Sequence, residues 1–96
     1  MRNAVRRIGE HCATWRKLRQ LTVVQVADRA GVNEKTVRLL EGGGKVNVET
    51  LLRVARALGI LDVITAALDP YSSDVGRLRA DEALPTRVRH RRQESP

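Results

Sequence analysis

The segment that most constrains the fold is LTVVQVADRAGVNEKTVRLLEG, residues 21–42, where one glycine interrupts an otherwise helical pattern. Gly31 can adopt the left-handed conformation that ends a helix, and Asn33 can cap a second helix almost at once. A chain that stops and restarts a helix within three residues must turn sharply. The pattern therefore predicts two short helices that cross at a steep angle, with the second one protruding from the domain.

The residues around this turn have the sizes that a close helix crossing needs. Ala27 is small enough to let the helices approach, whereas Val32, Val37 and Leu40 can fill the space between them. A generic helical hairpin matches one or two of these positions by chance. Together with Gly31, the five residues at fixed offsets are typical of the DNA-binding helix-turn-helix motif.

Apolar spacing and capping residues predict an all-α domain of five helices. Apolar residues recur every three or four positions from Val5 to Leu18, and Thr22 with Gln25 has the spacing of a capping box. Gly59 is expected to end the fourth helix. The predicted helices are 4–19, 23–30, 34–40, 48–58 and 61–68, with Asn3, Thr22, Asn33 and Asn47 as caps of the first four.

The pattern changes after Asp69 and Pro70, where apolar residues become scattered. We therefore expect a helical domain over 1–69 and a basic, largely flexible C-terminal tail over 70–96. Within this tail, Ser73 could begin a short amphipathic helix that Gly76 weakens and Pro85 ends.

Composition narrows the classes of function. The net charge of +7 suits a phosphate-bearing partner, although it also fits a soluble basic protein. The single cysteine, Cys12, excludes an internal disulfide or a zinc cluster of cysteines, and it falls on an apolar helix face. His11 and His90 lie far apart without an acid pair, so we expect no enzyme, no metal and no cofactor.

No apolar run approaches the ~20 residues that span a bilayer, and no secretory signal is visible, so we expect a cytoplasmic protein that does not enter membranes.

The sequence resembles the lambda-repressor and Cro-like helix-turn-helix family, also called the XRE family, from Ile8 to about Leu68. The matching stretches are WRKLRQLT, QVADRAGVNEKTVRLLEGG and VETLLRVARALGI. The resemblance implies a five-helix domain that binds operator DNA as a dimer, with helix three in the major groove. It also implies a partly buried structural ion pair between Arg16 and Glu41.

Two residues depart from the family pattern. Val23 stands where the family usually has a glutamine whose amide meets a phosphate, so we expect one backbone contact to be missing. Gln20 stands where the family favours glycine, so we expect the corner between helices one and two to be turned differently.

The outer side of helix three supplies the candidate base contacts. Glu34 could accept from a cytosine amino group, Lys35 could donate to guanine, and Leu39 could touch a thymine methyl group. Arg38 could reach a base or a phosphate. The alternative is that Glu34 only favours the helix N-terminus and Lys35 is merely solvated.

Residues around this helix supply the candidate phosphate contacts. If about four phosphates are neutralised per subunit, a plot of the logarithm of a dimer's DNA-binding constant against the logarithm of salt concentration has a slope near −7. The amides of the glycine run 42–44 could approach the DNA backbone, or the run could be an ordinary loop. The candidates are Asn33, Thr22, Arg19 and Lys45, with Arg2 or Arg6 as further cations.

The stretch ALGILDVITAAL, residues 57–68, has more apolar surface than a five-helix core is expected to cover. We therefore predict a two-fold homodimer contact through Leu61, Ile64 and Leu68, which would set two recognition helices ~34 Å apart. The alternative is that this helix closes the monomer core.

The basic run RVRHRR, residues 87–92, admits three interpretations: a solvated end, a nonspecific contact to DNA backbone, or part of a segment from Tyr71 onward that folds on a protein partner. A small domain of this family with a C-terminal extension resembles the antitoxins of toxin-antitoxin pairs, including the HipB-like group.

Taken together, the helix-turn-helix pattern, the basic charge and the family resemblance predict a sequence-specific DNA-binding transcriptional regulator acting as a dimeric repressor. The alternative is an antitoxin that neutralises a toxin protein while repressing its own operon.

Overall fold

Helices account for all of the regular structure in a computed structural model of the chain, which describes residues 1–83. The all-α prediction is therefore confirmed. No helix in these residues is long and apolar enough to cross a membrane. The helices are α1 (Arg2–Leu18), α2 (Val23–Ala30), α3 (Glu34–Glu41), α4 (Val48–Leu58), α5 (Leu61–Leu68) and α6 (Asp74–Ala83), with a short 3-10 turn, Pro70–Ser72, before α6.

The chain forms two compact units, Met1–Leu61 and a second that begins at Asp62, whereas the sequence predicts a boundary after Asp69. In the first unit, α2 packs against both α3 and α4, and α1 packs against the same two helices. The largest side chains that are fully removed from solvent among the described residues are Val26, Val37, Val54 and Leu58.

Most of the predicted caps are present. The Thr22 hydroxyl accepts from the Gln25 amide at 3.0 Å, and the Gln25 side chain accepts from the Thr22 amide at 2.9 Å. Gly31 ends α2 with φ of 69°, which a side chain would disfavour. Asn47 caps α4 through the Thr50 amide. The predicted Asn3 cap is wrong, because α1 begins at Arg2 and Asn3 lies inside its first turn.

The corner between α1 and α2 uses a left-handed residue even though that residue is not glycine. Gln20 has φ of 58°. Its amide donates to the Lys17 carbonyl at 2.9 Å, and the Leu21 amide donates to the Arg16 carbonyl at 3.0 Å. These two bonds satisfy carbonyls at the end of α1 and require a left-handed residue at this position. The expectation that Gln20 would turn the corner differently is therefore wrong.

The second unit contains the helix that Ser73 was predicted to begin. The Ser73 hydroxyl accepts from the Gly76 amide at 3.0 Å, at the first turn of α6. Gly76 lies so close to Pro70 that an added Cβ would overlap the Pro70 carbonyl, so the glycine permits this contact. Pro85 and the basic run 87–92 lie outside the described residues.

Candidate nucleic-acid interface

The helix α3 has one buried side and one exposed side. Val37 and Leu40 are buried in the first unit. Asn33 caps the helix by accepting from the Lys35 amide at 2.7 Å. Four exposed side chains form the outer side of α3: Glu34, Lys35, Arg38 and Leu39.

Two of these outer residues form an ion pair. Arg38 Nη2 donates to Glu34 Oε2 at 2.6 Å, and the two residues are one helical turn apart. From the sequence alone, the two side chains are expected to make separate contacts. The spacing of four between Glu and Arg was visible in the sequence and is the signal that could have predicted the pair.

The C-terminal end of α3 is fixed to α1 by the pair that the family resemblance implies. Arg16 donates to Glu41 through Nε at 2.7 Å and through Nη2 at 3.1 Å. Arg16 Nη1 also donates to the Leu21 carbonyl at 3.0 Å. The hydrogen bond to Glu41 raises the pKa of the Arg16 guanidinium above its ordinary value, so the cation is held charged. This pair therefore joins α3 to both α1 and the corner that leads to α2.

Gly9 brings α1 into direct contact with the same end of α3. A Cβ at this position would overlap the Leu40 carbonyl oxygen and would lie 3.2 Å from the Glu41 carbonyl oxygen. The periodicity of apolar residues alone does not single out Gly9. A glycine inside a helix costs about 1 kcal/mol relative to alanine, and that cost is the signal that a close approach was needed.

Three exposed cations lie near the loop that follows α3. Arg2 and Lys45 line one surface cavity together with Gly43. The Arg6 side chain packs within 3.4 Å of the position that a Cβ on Gly43 would occupy. We call Arg2, Arg6 and Lys45 the loop cations. Three positive charges at one end of α3 create a local potential that favours phosphate.

The amides of the glycine run are used within the protein. Gly42, Gly43 and Gly44 donate to carbonyls in the last turn of α3 at 3.0, 3.0 and 2.8 Å. An amide that already donates to the protein has no proton left for a phosphate. These three amides are therefore not available to donate to the DNA backbone.

Arg19 lies at the end of α1 and contacts α4. Its Nε donates to the Leu58 carbonyl at 2.9 Å, and its guanidinium lies 5.1 Å from the centroid of the Trp15 ring. These contacts use part of the guanidinium to join two helix ends. Only its Nη groups are left for a phosphate. Nothing local in the sequence predicts this bond, since the partners are 39 positions apart.

The helix α5 has no buried residue. Leu61 and Ile64 are half-buried, whereas Val63 and Leu68 are exposed. The helix thus presents apolar surface to solvent in the single chain.

Cys12 is buried in the first unit. Burial, with a smaller contribution from Glu41, raises the pKa of its thiol. A neutral buried thiol is a poor nucleophile. Among residues 1–83, no three His, Cys, Asp or Glu side chains are grouped as metal ligands.

A family model described as helix-turn-helix matches residues 13–62, about half of the chain. No curated protein and no solved structure matches the chain. The matched range contains α2, the turn at Gly31 and α3 in full.

Proposed function

Because the chain belongs to the lambda-repressor and Cro-like (XRE) family of helix-turn-helix proteins, we propose that it is a dimeric repressor that reads operator DNA with α3. Membership makes it a DNA-binding transcriptional regulator of a normally non-enzymatic family. The observation that carries the proposal is α3 itself, which is anchored on its inner side by Val37 and Leu40 and exposed on its outer side.

The outer side of α3 supplies the base contacts in this proposal. Lys35 donates to guanine O6 or N7, and Leu39 contacts a thymine methyl group. Glu34 and Arg38 contribute further base contacts from the same side of the helix. Asn33, at the N-terminus of α3, faces a phosphate, since helix N-termini favour anions.

Phosphate contacts in this proposal come mainly from the loop cations, because these three lie together at one end of α3. The Thr22 hydroxyl can donate to a phosphate, because it accepts from the Gln25 amide and that bond does not use its own proton. Arg19 contributes only through its Nη groups. These contacts position the protein without reading sequence.

The dimer in this proposal forms through α5. Its exposed apolar side chains favour burial against a second copy, and Leu61, Ile64 and Leu68 are the contact residues. A dimer binds two half-sites, so its operator has two-fold symmetry. A repressor of this kind acts in the cytoplasm, where the operator is.

The test is selection of duplexes from a random library, followed by binding measurements at several salt concentrations. Enrichment of a two-fold symmetric site and a slope near −7 are expected, if about four phosphates are contacted per subunit. Lys45→Ala should make the slope shallower by about two per dimer and leave sequence preference unchanged. Lys35→Ala should relax the preference. No enrichment together with a slope near zero would exclude the proposal.

A second candidate function is that of an antitoxin. It is favoured by α6, which exposes Val75 and Leu78 in the second unit, because apolar side chains held in solvent favour a protein partner. The product of the adjacent gene is the partner to test by co-expression and co-purification. Val75→Asp with Leu78→Asp should abolish co-purification and leave operator binding intact. A loss of operator binding instead would assign α6 to the DNA complex.

A further inference from the structure

Glu34 and Arg38 occupy the outer side of α3 as one hydrogen-bonded unit. Their side chains are 45% and 60% exposed, and the bond between Arg38 Nη2 and Glu34 Oε2 is 2.6 Å long. One N–H of the guanidinium and one lone pair of the carboxylate are used. Arginine has five N–H donors and a carboxylate about four acceptor positions, so both groups can make further hydrogen bonds.

Building on the proposed function, we propose that Glu34 and Arg38 read a single G·C base pair together. Arg38 donates to guanine N7 and O6, and Glu34 accepts from the N4 amino group of the paired cytosine. The bond between the two side chains holds donor and acceptor side by side. The operator half-site therefore contains a G·C pair that neither residue would specify fully alone.

The order of groups in the major groove selects this base pair. A G·C pair presents two adjacent acceptors, guanine N7 and O6, followed by the cytosine N4 donor. An A·T pair presents acceptor, donor, acceptor and then a methyl group. An arginine fork needs two neighbouring acceptors, and the carboxylate beside it needs a donor next to them. Only the G·C order satisfies both groups.

The competing explanation is that the pair only stabilises its helix, as exposed pairs at this spacing do. The chain contains a matched pair for this comparison. Arg53 donates to Glu49 in α4 at 2.9 Å, and these partners are also four positions apart in sequence. Glu34 and Glu49 each lie in the first turn of their helix. Substitutions in the α4 pair therefore measure the loss of helix stability and the change in net charge, without removing a proposed base contact.

The experiment compares four variants of the full chain with the wild type: Glu34→Ala, Arg38→Ala, Glu49→Ala and Arg53→Ala. Selected duplexes are altered at each position, and affinities are measured at fixed salt. For the wild type, replacing the G·C pair by A·T should lower affinity by about ten- to a hundred-fold. Glu34→Ala and Arg38→Ala should each lose most of that preference, whereas Glu49→Ala and Arg53→Ala should keep it.

Modified bases test the contacts directly. Replacing guanine by 7-deazaguanine removes the N7 acceptor, so wild-type affinity should fall several-fold and Arg38→Ala should be insensitive. Replacing guanine by inosine changes only the minor-groove amino group, so affinity should not change.

The outcomes separate this inference from the function on which it rests. If the wild type enriches no duplex, the proposed function fails. If a site is enriched but 7-deazaguanine has no effect, the pair does not read guanine. The same conclusion follows if Glu34→Ala and Glu49→Ala change base preference equally, because the pair then only stabilises α3.

Discussion

Arg16 holds Glu41 through two hydrogen bonds, of 2.7 and 3.1 Å, and both side chains are largely buried, at 16% and 14% exposed. The same guanidinium donates to the Leu21 carbonyl. One side chain thereby connects the end of α3 to α1 and to the corner before α2. The orientation of α3 depends on this connection.

We expect Arg16→Met to lower the free energy of unfolding by about 2 to 4 kcal/mol, because it leaves a carboxylate partly buried without its cation. Arg53→Met is the control, since it breaks an exposed pair that contributes about 1 kcal/mol or less. Urea denaturation followed by circular dichroism measures both. Equal losses in the two variants would contradict a structural role for the buried pair.

We expect Gly9→Ala to destabilise the domain by about 2 to 3 kcal/mol, although alanine is the better helix former. The added methyl group would overlap the Leu40 backbone, which cannot move as a flexible side chain can. Gly42→Ala is the control, because its Cβ would lie 3.3 Å from the Arg38 carbonyl oxygen, a contact that a shift of a few tenths of an ångström relieves, and its φ of −85° suits any residue. Thermal unfolding that leaves Gly9→Ala as stable as the wild type would show that α1 and α3 are not in such close contact.

We expect Gln20→Gly to stabilise the domain by up to about 1 kcal/mol. The left-handed conformation at φ of 58° costs a side chain about 1 to 2 kcal/mol, and the greater freedom of glycine in the unfolded chain offsets part of the gain. Gln20→Ala keeps a side chain in the left-handed conformation, so it should not raise the free energy of unfolding. A destabilised glycine variant would mean that the Gln20 side chain makes a contribution larger than its backbone strain.

The features that could be predicted from the sequence are those encoded within about four residues. The caps at Thr22, Asn33 and Asn47 and the helix end at Gly31 were placed correctly, since each depends on a side chain or conformation next to the turn. The exposed side of α3 followed from the inward positions of its apolar residues. These signals place α3, and with it the candidate base contacts.

Long-range contacts could not be predicted in this way. The bond from Arg19 to the Leu58 carbonyl joins residues 39 positions apart, and the contact of Gly9 with Leu40 depends on how two helices cross. The expectation at Gln20 was wrong for another reason. Residue preference favoured a different corner, but the carbonyls at the end of α1 needed donors, and satisfying them outweighed the cost at one residue.

We expect the stability of the wild type to fall at alkaline pH in a way that Cys12→Ala does not share. Burial raises the pKa of the Cys12 thiol above its ordinary value of 9.0. Above that pH the unfolded chain releases a proton that the folded chain retains, so the free energy of unfolding decreases as pH rises. The contribution of the protonated thiol is fully present below the unfolded pKa of about 9.0 and is lost progressively as the pH rises through the higher pKa of the folded state. Urea denaturation between about pH 7 and pH 10.5 measures the difference, and parallel profiles for the two proteins would show that the thiol titrates normally when folded.

We expect Leu68→Glu to prevent dimer formation through α5. Leu68 is 78% exposed in the single chain, so the substitution removes nothing from the core, and a glutamate buried between two copies would be a costly unpaired charge. Leu78→Glu in α6 is the matched control, since Leu78 is also exposed, at 60%. Sedimentation at tens of micromolar should show a dimer for the wild type and the control and a monomer for Leu68→Glu, which should also bind the two-fold site more weakly. A wild-type monomer, or a Leu68→Glu dimer, would remove α5 from the interface.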